Sequence, residues 1–280
     1  MEIKTEIFIS EVEIAKIFIF LVRISPAFQR AIWRWWYQRL GKRAQDSGWT
    51  FMNYGYKHTS QNILNLKSSD ESDRMFIQLY DYVASQLPIK DSTVLEVGSG
   101  RGGGASFVSR YHHPKSITGL DYSKSAIKLS ARLHGNIDNL NFKLGDAENL
   151  PFKDNTFDAV INIESSHCYG NMEKFLSEVS RIVKPGGYFG WADLRAKDMV
   201  QETEFAFEKS DLTCIKNSVI TSEVLNALDD IHDVKMTMIT NNVPKFLQTA
   251  FTDFAGVKNS KIYNSFKQGN AVYLSKILKK

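Results

Sequence analysis

The chain has 280 residues, 43% hydrophobic and 24% charged, with 35 basic against 31 acidic side chains and a formal net charge of +4. That length fits one enlarged domain or two small ones, and the hydrophobic share with only 17 Gly and 6 Pro excludes disordered and fibrous chains. Two cysteines, Cys168 and Cys214, cannot build a disulfide framework, and no cleavable leader is read, so a soluble, cytoplasmic protein is expected.

Near the start, the longest apolar run covers residues 17–22, far short of the roughly 20 residues that span a bilayer. Residues 23–43 then carry Arg23, Arg30, Arg34, Arg39, Lys42 and Arg43, no acid, and the cluster Trp33, Trp35, Trp36, Tyr37. Outside this stretch the acids outnumber the bases, 31 to 29, so the basicity belongs to the arm and gives no sign of a nucleic-acid partner. The arm reads either as a helix packed on the domain or as a surface for anionic lipid, a peripheral membrane contact through residues 1–43. Residues 1–69 are read as a helical arm and lid, and 70–280 as one catalytic domain.

From residue 70 the pattern is regular. A broad apolar stripe predicts a helix over 72–86, ended by Pro88. Strands are expected at 93–97, 116–120, 140–144, 157–163 and 188–192, and helices at 105–111, 123–133 and 175–183. Residues 196 to about 230 read as mixed helix, with late strand candidates at 234–240 and 271–277. Strands alternating with helices define an α/β fold, a parallel sheet with helices on both faces.

Between the first strand and its helix the sequence runs Glu96-Val97-Gly98-Ser99-Gly100-Arg101-Gly102-Gly103-Gly104. Glycines there let the backbone turn sharply and approach a ligand, with free N–H groups of the helix start nearby. Spacing alone leaves a dinucleotide site open, because Asp121 ends the second strand where a ribose-binding acid would sit. Glu96 argues against it, since a dinucleotide loop is normally apolar at that point. Further on come Gly145-Asp146-Ala147-Glu148-Asn149-Leu150-Pro151-Phe152, then Phe157-Asp158-Ala159-Val160, then Lys184-Pro185-Gly186-Gly187. In this order over 70–195, the elements resemble the class I S-adenosylmethionine-dependent methyltransferases. The resemblance implies a Rossmann-like seven-stranded, mostly parallel sheet, an N-terminal helical lid and an inserted helical cap at 196–255. It also implies S-adenosyl-L-methionine as cofactor. Glu96, Gly98, Ser99, Gly100 and Gly102 would face its methionine end, Asp121 both ribose hydroxyls, Tyr122 the adenine face, Asp146 and Ala147 the adenine edge, and Asn162 and Ile163 the sulfonium.

Methyl transfer to an alcohol needs alignment and a base. Past the fourth strand stands Glu164-Ser165-Ser166-His167-Cys168-Tyr169, and past the fifth Trp191-Ala192-Asp193-Leu194-Arg195. Adjacent strand ends would bring His167 and Asp193 to one cleft, and a histidine of ordinary pKa is largely neutral at cytoplasmic pH. These strings resemble the mycobacterial phthiotriol/phenolphthiotriol dimycocerosates methyltransferases, with further similarity in 33–37, 51–56 and 262–264. That family O-methylates a hydroxyl of a polyketide-derived lipid, and in the related sugar O-methyltransferases the equivalent His and Asp are the proposed base pair. The resemblance departs at the first ~25 residues and in the Gly98-Ser99-Gly100 loop. His167 is therefore expected as base with Asp193, and no metal. Tyr54, Tyr56 and Glu164 are expected on the lid or the substrate side. Phe205, Phe207, Ile215, Leu225, Leu228, Phe246 and Phe251 would supply apolar pocket wall. The expectation is an O-methyltransferase, monomeric or homodimeric, acting on a lipid, polyketide or glycosylated hydroxyl. Its alternatives are C- or N-methylation of a quinone, sterol or amine, a nicotinamide oxidoreductase, and a non-catalytic binding module.

Overall fold

The computed structural model describes residues 50–58, 64–242 and 245–280, so the basic-aromatic arm lies outside the described residues. Along the chain run α1 (Arg74–Ala84), β1 (Thr93–Val97), α2 (Gly103–His112), β2 (Ser116–Asp121), α3 (Lys124–His134), β3 (Leu140–Leu144) and β4 (Phe157–Ile163). They are followed by α4 (Met172–Ile182), β5 (Val183–Ala196), α5 (Val200–Glu208), β6 (Thr213–Val219), α6 (Thr221–Asp230), α7 (His232–Asn242), α8 (Lys245–Ala255), α9 (Lys261–Lys267) and β7 (Ala271–Lys279).

Seven strands form one sheet in the order β3-β2-β1-β4-β5-β7-β6. Its first five are parallel neighbours, and β7 runs antiparallel between β5 and β6. The alternation of side chains along each strand splits the core into two layers. Val94, Ile117 and Ile161 face α1 and α2 with Ile77, Val83 and Phe107, while Leu95, Val160 and Trp191 face the other side with Phe175 and Phe207. Each such side chain, fully buried, contributes about 1.5–3 kcal/mol of transfer free energy. Local signals set the helix starts: the Ser123 hydroxyl accepts from the Ala126 N–H at 3.3 Å, and the Asn171 side chain accepts from the Lys174 N–H at 2.9 Å.

Three expectations are corrected. Residues 234–240 are not a strand but the middle of α7, where Lys235 and Ile239 are buried in line with Ile231 just before the helix, at the i, i+4 spacing of a helix. The alternating Val-x-Met-x-Met run mimics a strand because its buried stripe contains a lysine. The mixed-helical reading of 196–230 misses β6, an edge strand with mostly exposed side chains, whose lack of alternating hydrophobicity hid it. The expected cap at 196–255 is therefore interrupted by a strand of the sheet. The stretch between β6 and β7 holds α6 to α9. No helix among the described residues is long and apolar enough to cross a membrane.

Candidate active site

At the carboxyl end of β1 the chain turns through Gly98 (φ +76°) and Gly100 (φ +52°), left-handed conformations that glycine adopts without penalty. The glycines divide the work. A Cβ on Gly98 would stand 2.2 Å from Ser165 Oγ, whereas on Gly100 it would meet only Met52 Sδ, at 3.8 Å. Gly100 is thus the point at which a ligand can come down on the bare backbone. Gly102, expected at the cofactor, instead caps α2 with its Cα side filled by Phe142 and His134, and Gly103 and Gly104 make room for Thr50 and the Tyr80 ring. Side-chain volume around the loop, which sequence spacing does not encode, decides which glycine faces the cleft.

A cavity lies over this loop, walled by residues 50–53, Tyr80, residues 98–101, Ile163 and Glu164. Glu96 is buried beneath it, its Oε1 accepting from the Tyr80 hydroxyl at 2.7 Å, and burial pushes its carboxyl up to about 7. Asp121, at the end of β2, accepts the Gly100 N–H at 2.8 Å and the Ser123 N–H at 2.7 Å. Burial raises it to about 6 against those two hydrogen bonds. Tyr122 beside it is exposed, and the buried Ala147 follows Asp146, whose Oδ1 accepts the Glu148 N–H at 2.9 Å in a local turn. Asn162 is buried, with its amide nitrogen within hydrogen-bond distance of Val97 O at 2.9 Å, Ser165 Oγ at 2.8 Å and the Tyr169 hydroxyl at 3.0 Å.

Parallel pairing of β4 and β5 sets Ile163 opposite Ala192, so the residues just beyond them meet. His167 Nδ1 lies 2.8 Å from Asp193 Oδ1, and the His167 backbone N–H donates to Asp193 Oδ2 at 2.8 Å. Ser166 Oγ donates to the same Oδ2 at 2.6 Å, and the Leu194 N–H reaches Oδ1 at 2.8 Å. Asp193 is fully buried while the His167 side chain remains 31% exposed. In the neutral imidazole Nδ1 donates to the carboxylate and Nε2 is left as the acceptor. Burial opposes the imidazolium, but Cys168 and Asp193 outweigh it and hold His167 well above its ordinary value. The histidine is thus a stronger base than an ordinary pKa implies. Burial works against the Asp193 carboxylate, yet His167 and Arg195 hold it well below the usual range.

Glu164 sits in the left-handed region at φ +48°, a backbone conformation costly for a residue with a side chain and found at functional sites. Its Oε2 accepts the Tyr54 N–H at 2.8 Å and the Tyr273 hydroxyl at 2.9 Å, and burial raises its carboxyl to about 7. Tyr54 is therefore at the site. Tyr56 is not: it stacks on Tyr82, with ring centroids 4.6 Å apart, and its N–H bonds Met75 O, away from the cleft. Of the expected pocket wall, Phe205 and Ile215 are exposed and Phe207 packs on Trp191. Sequence reasoning missed Tyr273 and Lys235; the latter is buried on α7, with its ammonium donating to Ala255 O at 2.8 Å and lying 5.4 Å from the Tyr54 ring centre. Among the described residues no cluster of His, Cys, Asp or Glu is arranged to hold a metal ion.

A sheet in this order, with a glycine loop after β1, an acid ending β2 and a polar cleft at the parallel strand ends, is the class I methyltransferase fold. A family model described as a methyltransferase domain matches residues 95–190. The chain is 36% identical over 249 residues to a phthiotriol/phenolphthiotriol dimycocerosates methyltransferase of Mycobacterium tuberculosis, covering 89% of this chain and 92% of that protein. It is 34% identical over 252 residues to a fatty-acid O-methyltransferase of Mycolicibacterium smegmatis, covering 90% and 89%. In fold it is similar to a cyclopropane synthase from Mycobacterium tuberculosis (TM-score 0.64, 14% identity, covering 82% of this chain and 92% of that one). It is also similar to geranyl diphosphate C-methyltransferase from Streptomyces coelicolor, solved with S-adenosyl-L-homocysteine (TM-score 0.60, 16% identity, covering 87% and 98%). The chain belongs to the S-adenosylmethionine-dependent methyltransferases, in the family of the phthiotriol/phenolphthiotriol dimycocerosates enzymes. Its cofactor is S-adenosylmethionine.

The residues present fit that cofactor. Ser99 Oγ and Asn162 Oδ1 are buried beside the loop without a hydrogen-bond partner among the described residues, and the Gly100 backbone is bare toward the cavity. Asp121, with each oxygen accepting one backbone N–H, keeps lone pairs for two hydroxyl donors.

Proposed function

We propose that this protein transfers a methyl group from S-adenosylmethionine to a hydroxyl of a lipid, polyketide or glycosylated small molecule, with His167 as general base. The observation that carries this reading is the His167–Asp193 pair, 2.8 Å apart at the adjoining ends of β4 and β5. Bound, the cofactor supplies a methyl group activated by a sulfonium leaving group. Residues 98–101 and Asp121 would hold it, with Glu96 shaping the loop from below and Ser99, Tyr122, Asp146, Ala147, Asn162 and Ile163 bordering its parts. The chain's own chemistry is then a proton transfer. Asp193 accepts a hydrogen bond from Nδ1–H and fixes the imidazole, so that Nε2 accepts the hydroxyl proton as the oxygen becomes nucleophilic and the imidazolium forms beside the carboxylate. The strap at 50–54, tied to Glu164 through the Tyr54 N–H, excludes water from that side. The relatives named for a lipid polyketide and for a fatty acid support an apolar substrate.

His167→Ala tests the reading. Turnover should fall by roughly 10²–10⁴, the usual contribution of a positioned base, with cofactor affinity unchanged. Full turnover in the variant would overturn it. For the wild type, kcat should rise with pH along a limb whose midpoint lies above 6.5, because the imidazole must lose its proton before it can accept another. A pH-independent kcat across that range would favour a carbon nucleophile instead.

A further inference from the structure

We propose that Arg195 is a positioning residue that neutralises Asp193 and thereby frees His167 to exchange its Nε2 proton. The inference deepens the reading of His167 as the base and rests on it for its place in the reaction.

Arg195 stands two residues beyond Asp193 on β5 and is almost wholly buried. Its guanidinium fans out over five groups: Nη1 pairs with Asp193 Oδ2 at 3.1 Å and donates to Leu194 O at 2.6 Å, Nη2 donates to Ser166 Oγ at 2.7 Å and to Met172 Sδ at 3.8 Å, and Nε donates to Thr203 Oγ1 at 3.1 Å. The Trp191 ring centre lies 5.1 Å from its carbon. Ser166 makes the arrangement directional. Its oxygen accepts from Arg195 and from the Trp191 indole N–H at 2.9 Å, so its single proton can only go to Asp193 Oδ2, 2.6 Å away. Oδ2 is therefore saturated by Ser166, Arg195 and the His167 backbone, which leaves Oδ1 to orient the imidazole.

The charge count gives the consequence. Arg195 offsets part of the charge of the buried Asp193, so the carboxylate holds the imidazole proton less tightly than it would alone. Remove that charge and, among the described residues, the only cation left in contact with this fully buried carboxylate is the imidazolium, so His167 would hold its proton to still higher pH and lose capacity as a base. The other titratable groups that bear on this pair are Cys168 beside the ring, Glu164 at the end of β4, Tyr54 on the strap, Tyr169 and, from β7, Tyr273. None of them contacts the far side of the Asp193 carboxylate as Arg195 does.

The test is the proton affinity of His167 itself, read by NMR titration of its ring Cε1–H in the full chain and assigned by the signal that disappears in His167→Gln. In Arg195→Met the midpoint should rise by at least one pH unit, a tenfold tighter hold on the proton, while in Arg195→Lys it should stay within about 0.3 unit of the wild type. An unchanged midpoint in a folded Arg195→Met protein would overturn the proposal, as would a rise of a unit or more in Arg195→Lys. Should Arg195→Met not fold, Arg195→Gln, which keeps a donor for Ser166 without the charge, takes its place under the same criterion. A purely structural arginine would lower the melting temperature in these variants without moving the midpoint. Failure of the base reading is a separate outcome: the midpoint shifts as stated, but His167→Ala still turns over.

Discussion

Asp193 shows how much one buried atom group can organise. Fully inaccessible to solvent, it accepts from His167 twice, from Ser166 and from Leu194, and pairs with Arg195. Its carboxyl, held far below the usual range, contributes stability that is complete above the unfolded value near 4 and is lost as pH falls through the lower folded value. Asp193→Ala should therefore cost roughly 3–5 kcal/mol, as breaking a buried charge pair does, and chemical denaturation of the two proteins measures it. Asp121 behaves in the opposite way. Burial raises it to about 6, so the ionised form that would accept ribose hydroxyls is complete only above that pH. The affinity for S-adenosylhomocysteine should fall as pH drops through about 6 in the wild type and be lower and flat across that range in Asp121→Asn. Calorimetric titration at pH 5 and pH 7.5 gives both slopes, and a pH-independent wild-type affinity would remove Asp121 from the site.

At the scale of elements, helix and sheet meet closely where β5 carries Gly190. A Cβ there would stand 2.6 Å from Val83 Cγ1 and 2.9 Å from Leu87 Cδ1, so α1 lies on the strand with no spare room. Gly190→Ala should destabilise the protein by about 1–3 kcal/mol through overpacking, visible as a lower melting temperature, and unchanged stability would mean that α1 shifts freely. Gly186→Ala is the control, since nothing lies within 4 Å and only its φ of +78° is strained. The same elements show what was legible in the sequence. The five parallel strands were: β1, β2, β4 and residues 188–192 of β5 are largely buried apolar runs, and the edge strand β3, of which only Leu140 is buried, still alternates Leu140, Phe142 and Leu144 with polar residues. So were the meeting of His167 and Asp193 and the place of Asp121, because strand ends determine them. The edge strand β6 was not, because neighbouring backbone hydrogen bonds hold it in the absence of an apolar face. Nor was α7, because a lysine stands in its buried stripe and pays no visible hydropathic signal. Tyr273 was invisible for another reason: it reaches Glu164 from 109 residues away, a contact that only the packing of β7 creates.

For the whole molecule, the charge is unevenly divided, with six basic side chains and no acid in residues 23–43 of a chain otherwise slightly acidic. We expect this segment to give weak, salt-sensitive attachment to anionic membranes, close to an apolar substrate. Sedimentation with anionic vesicles should therefore drop on deletion of residues 1–43 and on raising the salt, and equal sedimentation of the two forms would remove the idea. The position of β7 has a further consequence, for the order in which the molecule is made. This strand lies inside the sheet, between β5 and β6, yet it follows both in the sequence, and Lys280 just beyond it exchanges backbone hydrogen bonds with Gly186 and Gly187. A chain still emerging from the ribosome can assemble the five parallel strands, but β5 keeps an open edge and β6 has no partner in the sheet until β7 has been made. Tyr273 rides on that same strand, so Glu164 receives its second hydrogen bond only when β7 docks. Completion of the sheet and completion of the cleft are one event.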